Sequence, residues 1–345
     1  MNNASNTRSL EVDGSLLVSN PADAATLARE LEDVGYDGVY TFEGRHDPFL
    51  PLAVAAGSTS RLKLATGIAV AFARNPMLLA NLGYDLQLMS GGRFMLGLGS
   101  QIRPHIEKRF SATWSHPAAR MHEMVRAIRA IWACWQDGTP LDFRGRFYTH
   151  TLMTPIFVPG PNPHGLPPIY LAGVGPRMIE VAGEVADGLL VHPFNTSRFV
   201  ASEVLPALER GLARSGRTGA DCDVSAQFIV ATGLDREERE RNLALARGQV
   251  AFYASTPAYR PVLDCHGWGD LQPRLNALSK EGKWVEMSAL LSDELLDEVV
   301  IHGSPEEVGE RLRARAGDWC ARVSPVIYAG DLEVRERLVR AIKGG

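Results

Sequence analysis

The residues best suited to chemistry gather at a few junctions. Leu171-Ala172-Gly173-Val174-Gly175-Pro176-Arg177-Met178 has the form of a strand end, two glycines and a helix opened by proline. Glycine lets a backbone approach a ligand closely, and the first N–H groups of a helix lack partners within it. Gly173, Val174, Gly175, Pro176, Arg177 and Met178 therefore form a candidate anion site. The N–H groups of Arg177 and Met178, together with the helix dipole, would face a phosphate. A plain tight turn uses glycine in the same way, and the spacing alone does not separate the two. After another apolar run, Glu43-Gly44-Arg45-His46-Asp47 collects two acids, a base and a histidine. His46 titrates near working pH and suits general acid or base catalysis. Asp47 also suits a helix cap before Pro48, and Glu43 an ion pair with Arg45. His192, ahead of Pro193-Phe194, is a second acid/base candidate. Gly67 interrupts the apolar run 62–71, which signals a bulge or a close backbone approach. Thr66, Gly67 and Ile68 would then present a surface to a flat ring. Gly97, Gly99, Ser100 and Gln101 combine close approach with hydrogen-bonding side chains, followed by a basic cluster at Arg103, His105, Lys108 and Arg109.

Other chemistries have no support. No His-x-x-His or His-Glu-x-x-His spacing marks a metal site, so no metal is expected. Neither a Gly-x-Ser-x-Gly elbow nor a Gly-x-x-x-x-Gly-Lys phosphate loop occurs. Cys134, Cys222, Cys265 and Cys320 lie far apart, which disfavours a disulfide scaffold and fits a reduced cytoplasm. A net charge of −4 over 345 residues argues against nucleic-acid and anionic-membrane partners. No apolar run approaches the ~18 residues of a membrane span, and the opening MNNASNTRSL lacks the apolar centre of a signal peptide.

The elements that must position these residues recur in one rhythm. Short apolar runs at 37–42, 62–71, 94–99, 169–172, 188–191, 224–231 and 323–328 predict strands, mostly buried on both faces. Helical patterns follow, several opened by a cap and a proline: Asn20-Pro21 to about 34, 48–58, Asn75-Pro76 to 89, His116-Pro117 to about 135, 176–185, 198–214, 235–253, Ser304-Pro305 to 316 and 331–342. Met124, Trp132 and Trp135 sit at helical spacing as core residues. About eight strands, each followed by a helix, close naturally into a (β/α)8 TIM barrel. An open doubly wound sheet is weakened by the lack of Gly-x-Gly-x-x-Gly after the first strand. We expect one domain over 1–345 with insertions near 100–115, 138–167 and 255–300, the second holding a small hairpin and the last mostly helical. In a barrel the active face lies at the C-terminal strand ends.

Two stretches then resemble the bacterial luciferase-like flavin monooxygenase superfamily. They are Thr66-Gly67-Ile68-Ala69-Val70-Ala71-Phe72-Ala73-Arg74-Asn75-Pro76, and Ser90-Gly91-Gly92-Arg93-Phe94 running on to Gly97-Leu98-Gly99. Pro168-Ile169-Tyr170-Leu171-Ala172-Gly173, Ala186-Asp187-Gly188 and His302-Gly303-Ser304-Pro305-Glu306-Glu307-Val308 carry the likeness across roughly 35–340. Asp47-Pro48-Phe49-Leu50-Pro51-Leu52 and Pro104-His105-Ile106-Glu107 are similar to the branch dependent on the deazaflavin coenzyme F420. The resemblance implies a TIM barrel, usually a homodimer, with a flavin or deazaflavin at its C-terminal mouth and a small-molecule substrate beside it. It implies that the 173–178 turn holds the coenzyme phosphate, that a non-proline cis peptide at Gly67-Ile68 backs the coenzyme's central ring, and that His46 lies near the reactive ring carbon. Some relatives carry a glutamate where this chain has Ser100, so proton transfer would fall on His46 or Glu43. F420-dependent hydride transfer is the favoured expectation. FMN-dependent monooxygenation is the alternative, and a non-catalytic flavin-binding barrel the second alternative.

Overall fold

The computed structural model describes residues 10–344; most of the opening decapeptide read above lies outside them. Eight parallel strands close on themselves: β1 (Glu11–Ser15), β2 (Gly38–Thr41), β3 (Lys63–Thr66), β4 (Phe94–Gly99), β5 (Ile169–Ala172), β6 (Gly188–Val191), β7 (Asp223–Thr232) and β8 (Arg322–Ile327). Each pairs with the next, and β8 returns to β1 through Glu11 opposite Arg322 and Val12 opposite Val323. This is the (β/α)8 barrel the strand–helix rhythm predicts. Among the described residues no helix is long and apolar enough to cross a membrane.

Local chemistry sets the element ends. Asn75 accepts from Leu78 N at 3.0 Å, and Pro76 opens the helix Pro76–Met89. Ser304 and Glu307 form a reciprocal capping box at the start of Pro305–Ala316. Gly35 ends Ala24–Val34 in the left-handed conformation that glycine tolerates. Met124, Trp132 and Trp135 are buried on Pro117–Asp137 as expected, and Trp132 Nε1 donates to Ala80 O at 3.0 Å.

Three local expectations change. The run 62–71 is not one strand. It breaks after Thr66, resumes at Ala69–Val70, and carries one residue more than β4 between the two pairings: Ala65 faces Met95 and Ala69 faces Leu98. The helix expected over 198–214 starts as one turn at Ser197–Phe199, widens over Val200–Val204 and continues as Leu205–Arg214. Two strands were not marked by the sequence pattern. They are β1 and the extra strand Val300–Gly303, which pairs with the second half of β7 where β6 has ended. The insertion before that strand is helical over Arg260–Asp264, Leu271–Lys280, Trp284–Ala289 and Asp293–Val299. The middle insertion holds the expected hairpin, Phe143–Arg144 with Thr149–His150.

Candidate active site

A cavity of about 740 Å³, its mouth included, opens inside the barrel at the C-terminal strand ends. Its floor is the break in the third strand. The Gly67–Ile68 peptide is cis, as the resemblance implies. Gly67 N donates to Thr41 O at 2.6 Å, and Glu43 N to Ile68 O at 3.0 Å. Thr66 Oγ1 donates to Gly97 O at 2.7 Å and accepts from Gly97 N at 2.9 Å, locking the bulge to β4. Gly97 has no room for a Cβ, because the Thr66 carbonyl occupies that space. A Cβ on Gly99 would lie 2.7 Å from Ile68 Cδ1, so Gly99 packs against Ile68 and is not among the residues lining the cavity.

Of the sequence-predicted residues, Thr66, Gly67, Ile68, Gly173, Val174 and His192 line this one cavity. Gly175, Pro176, Arg177 and Met178 continue outward from it as the start of the helix Pro176–Val185. Here one expectation is corrected. Met178 N is not free: it donates to Gly175 O at 3.0 Å, tightening the first turn. The Arg177 N–H is too early in the helix for an intrahelical acceptor and stays open. The Arg177 guanidinium turns away to Glu180 at 3.0 Å. The two glycines also differ. A Cβ on Gly173 would lie 2.8 Å from Ile179 Cγ1, so that glycine serves helix–strand packing, whereas nothing lies within 4 Å of a Cβ on Gly175.

Glu43 and His46 are placed elsewhere. The Glu43 carboxylate accepts from Val70 N at 2.7 Å and pairs with Arg74 at 2.5 Å, not with Arg45. Arg74 also reaches Asp47 at 2.8 Å, and Asp47 accepts from Phe49 N at 2.9 Å, the capping role read from its position. Glu43 is thus spent on tying the bulge to the rim. His46 is exposed, with Nε2 3.0 Å from Ser19 O. Ser100 is half-buried and donates to Gln101 O at 3.2 Å. Among the described residues no group of three or more histidine, cysteine or acidic side chains could hold a metal.

The remaining lining mixes apolar side chains (Ala65, Met95, Leu190, Val191) with polar ones that were not singled out in the sequence. Asp13, Tyr40, Tyr170, Ser225, Gln227, Arg322 and Ser324 face the same cavity. Their signal is period two: Asp13 two residues after Glu11, Ser225 and Gln227 after Asp223, Ser324 after Arg322. Arg322 forks onto Asp13, with Nε 2.8 Å from Oδ2 and the second nitrogen on Oδ1, and also meets Glu11. Burial pushes the Asp13 carboxyl up to about 8, with the Asp37 charge adding to the rise and the Lys63 and Lys343 charges opposing it.

Burial pushes the His192 imidazole down to about 3, from 6.5 for a free one. The unfolded chain therefore takes up a proton that the folded chain refuses across that interval. Stability falls as pH drops through it. Urea midpoints are expected to decline between about pH 7 and about pH 4, and to decline less in His192→Phe. Parallel slopes in the two proteins would remove His192 from the account.

The comparisons with known proteins agree with this architecture. The luciferase-like monooxygenase family model matches residues 4–320. An uncharacterized protein of Mycobacterium tuberculosis is 53% identical over 326 residues, 94% of this chain and 96% of its own length. The 5,10-methylenetetrahydromethanopterin reductase of Archaeoglobus fulgidus is 30% identical over 292 residues, 81% of this chain and 82% of that protein. The solved coenzyme F420-dependent tetrahydromethanopterin reductase of Methanopyrus kandleri superposes with a TM-score of 0.77 at 21% identity, covering 96% of each chain. The oxygenating constituent of the 3,6-diketocamphane monooxygenase of Pseudomonas putida, solved with FMN, has a TM-score of 0.69 at 15% identity and covers 97% of this chain and 98% of that one. The two structures speak for the fold; one is an F420-dependent reductase and the other holds FMN. With a family match running from residue 4 to residue 320, this protein belongs to the luciferase-like monooxygenase family, whose members are F420- or flavin-dependent oxidoreductases.

Proposed function

We propose that this protein is an F420-dependent oxidoreductase that moves a hydride between the deazaflavin and a small organic substrate. The observation that carries the reading is one cavity lined by the Gly67–Ile68 floor and the side-chain-free Gly97 and Gly173, with the open space at Gly175 two residues farther along the chain. That arrangement fits a planar coenzyme with a phosphate arm, and the name of the Archaeoglobus relative supports a reductase over an oxygenase. When bound, the coenzyme supplies the hydride chemistry. Thr66 and Gly97 hold the floor in shape, and the Arg177 N–H at the helix start receives the phosphate. His46, exposed outside the cavity lining, relays a proton to the substrate through water. Glu43 and Arg74 keep the rim fixed. Residues 155–168 and 255–300 cover the mouth and choose the substrate. A homodimer in the cytoplasm is part of the same reading. The second reading, FMN-dependent monooxygenation, is favoured by the fold of the FMN-bearing neighbour.

Titration of the protein with F420 and FMN in parallel decides between them. Tighter F420 binding is expected, whereas tighter FMN binding with oxygen consumption overturns the proposal. Gly175→Val has space for its side chain within the protein, so its unfolding free energy should fall by no more than about 1 kcal/mol, the cost of a poorer helix N-cap. Its coenzyme affinity is expected to fall at least about tenfold, since the side chain enters the phosphate cradle. Unchanged affinity would remove the turn from the binding site. Gly173→Val is not an equivalent test, because Ile179 already fills that space.

A further inference from the structure

His192 is fixed from several sides at the end of β6. Phe194 N donates to its Nδ1 at 3.1 Å. Tyr259 stacks on the ring with centroids 4.3 Å apart and planes 22° from parallel, and Tyr253 meets it edge-on at 4.7 Å and 77°. Asn195 Nδ2 donates to His192 O at 2.7 Å and Gln227 O at 3.0 Å, tying the end of β6 to β7. A ring nitrogen that accepts an N–H holds a lone pair there, so a neutral ring carries its proton on Nε2. No hydrogen bond among the described residues uses Nε2, although His192 lines the cavity. The titratable groups packed on the ring are the Tyr253 and Tyr259 phenols, both raised by burial. The charged groups facing the same cavity, Asp13 and Arg322, are paired with each other.

From this geometry we propose that His192, held in place by Tyr253 and Tyr259, is a neutral hydrogen-bond donor of one tautomer, and that its Nε2–H holds the carbonyl oxygen of a ketone or aldehyde substrate in the cavity. The inference rests on the cavity being the substrate pocket of an oxidoreductase. It assigns His192 a role that needs no proton transfer. A donor without charge suits an uncharged oxygen, and the apolar lining of Ile68, Met95, Leu190 and Val191 suits the body that carries it. A carboxylate substrate would find no free cation here, because the Arg322 fork is taken by Asp13.

Two measurements on the full chain test the proposal. In the 15N-labelled protein, the His192 ring, assigned by its disappearance in His192→Phe, should show a neutral Nε2–H signal that does not shift between about pH 5 and about pH 8. Titration in that window, or a proton on Nδ1, overturns the proposal. The second measurement compares equilibrium binding of cyclohexanone and its oxygen-free shape mate methylenecyclohexane. His192→Phe keeps an aromatic ring and removes the donor. It should weaken cyclohexanone about three- to tenfold and leave methylenecyclohexane unchanged. His192→Gln retains a donor and should recover part of the loss. Equal loss of both probes, no loss, or no binding of cyclohexanone by the parent protein overturns the proposal. F420 and FMN titrations on the same samples read the coenzyme assignment separately. Failure of both to bind, with the cyclohexanone pattern intact, sinks that assignment alone.

Discussion

Gly97→Ala is expected to cost this protein about 3 kcal/mol of stability or more, and to abolish coenzyme binding with it. A single methyl group there overlaps the Thr66 carbonyl, a backbone atom held in the sheet, and presses on Leu190 Cδ1 at 3.0 Å. Relief requires moving Thr66, whose hydroxyl both donates to Gly97 O and accepts from Gly97 N. That movement displaces the Gly67–Ile68 floor. Urea unfolding and coenzyme titration should therefore report the two losses together. Gly57→Ala is the control, because it adds the same methyl where nothing lies within 4 Å, inside the helix Phe49–Ser58. It should stabilise the protein by about 0.5 kcal/mol through helix propensity. A Gly97→Ala protein with the parent's midpoint would show that β3 and β4 can part without consequence, and the account of the floor would fail.

Arg322→Met should be comparably severe, at about 3–5 kcal/mol. Arg322 and Asp13 are both buried, and they join the last barrel strand to the first across 309 residues of chain. Removing the guanidinium strands the Asp13 carboxylate, and Glu11 beside it loses its contact. The sign of the pH dependence follows from what remains. Without its cation, Asp13 has a folded pKa well above that of the unfolded chain. The neutral form is then stable in the fold at low pH, and that stability is lost as pH rises. Because Asp13 already sits at about 8 in the parent and goes higher without its cation, the deficit of Arg322→Met relative to the parent should grow as pH rises above about 8. Adding Asp13→Asn should recover part of it and flatten the slope. A deficit independent of pH would mean that Asp13 finds another partner.

Legibility followed burial. Strands that are apolar on both faces, such as β4, β5 and β6, were bounded correctly by their composition, as was the helix Pro76–Met89 by its cap and proline. β1 reads Glu-Val-Asp-Gly-Ser and offers no apolar run, because the residue it turns into the cavity is the Arg322-paired Asp13. Val300–Gly303 is too short to declare itself and is a strand only because half of β7 is left unpaired beyond β6. Glycine spacing marked the break in the third strand and the tight turn after β5, and both backbone features are present. It did not distinguish Gly173, crowded by Ile179, from Gly175, which is open.

The sequence by itself determined the repeating strand–helix order, the two glycine junctions and the family, since these rest on local periodicity, turn chemistry and motif order. Only the tertiary structure decided that His192 faces the cavity while His46 lies outside its lining, that Glu43 is bound to Arg74, and that Asp13 and Arg322 close the barrel. Those outcomes depend on contacts between segments tens to hundreds of residues apart. Partners at such separations leave no periodic trace in the chain, because each is chosen by the register of strands that meet only when the barrel closes.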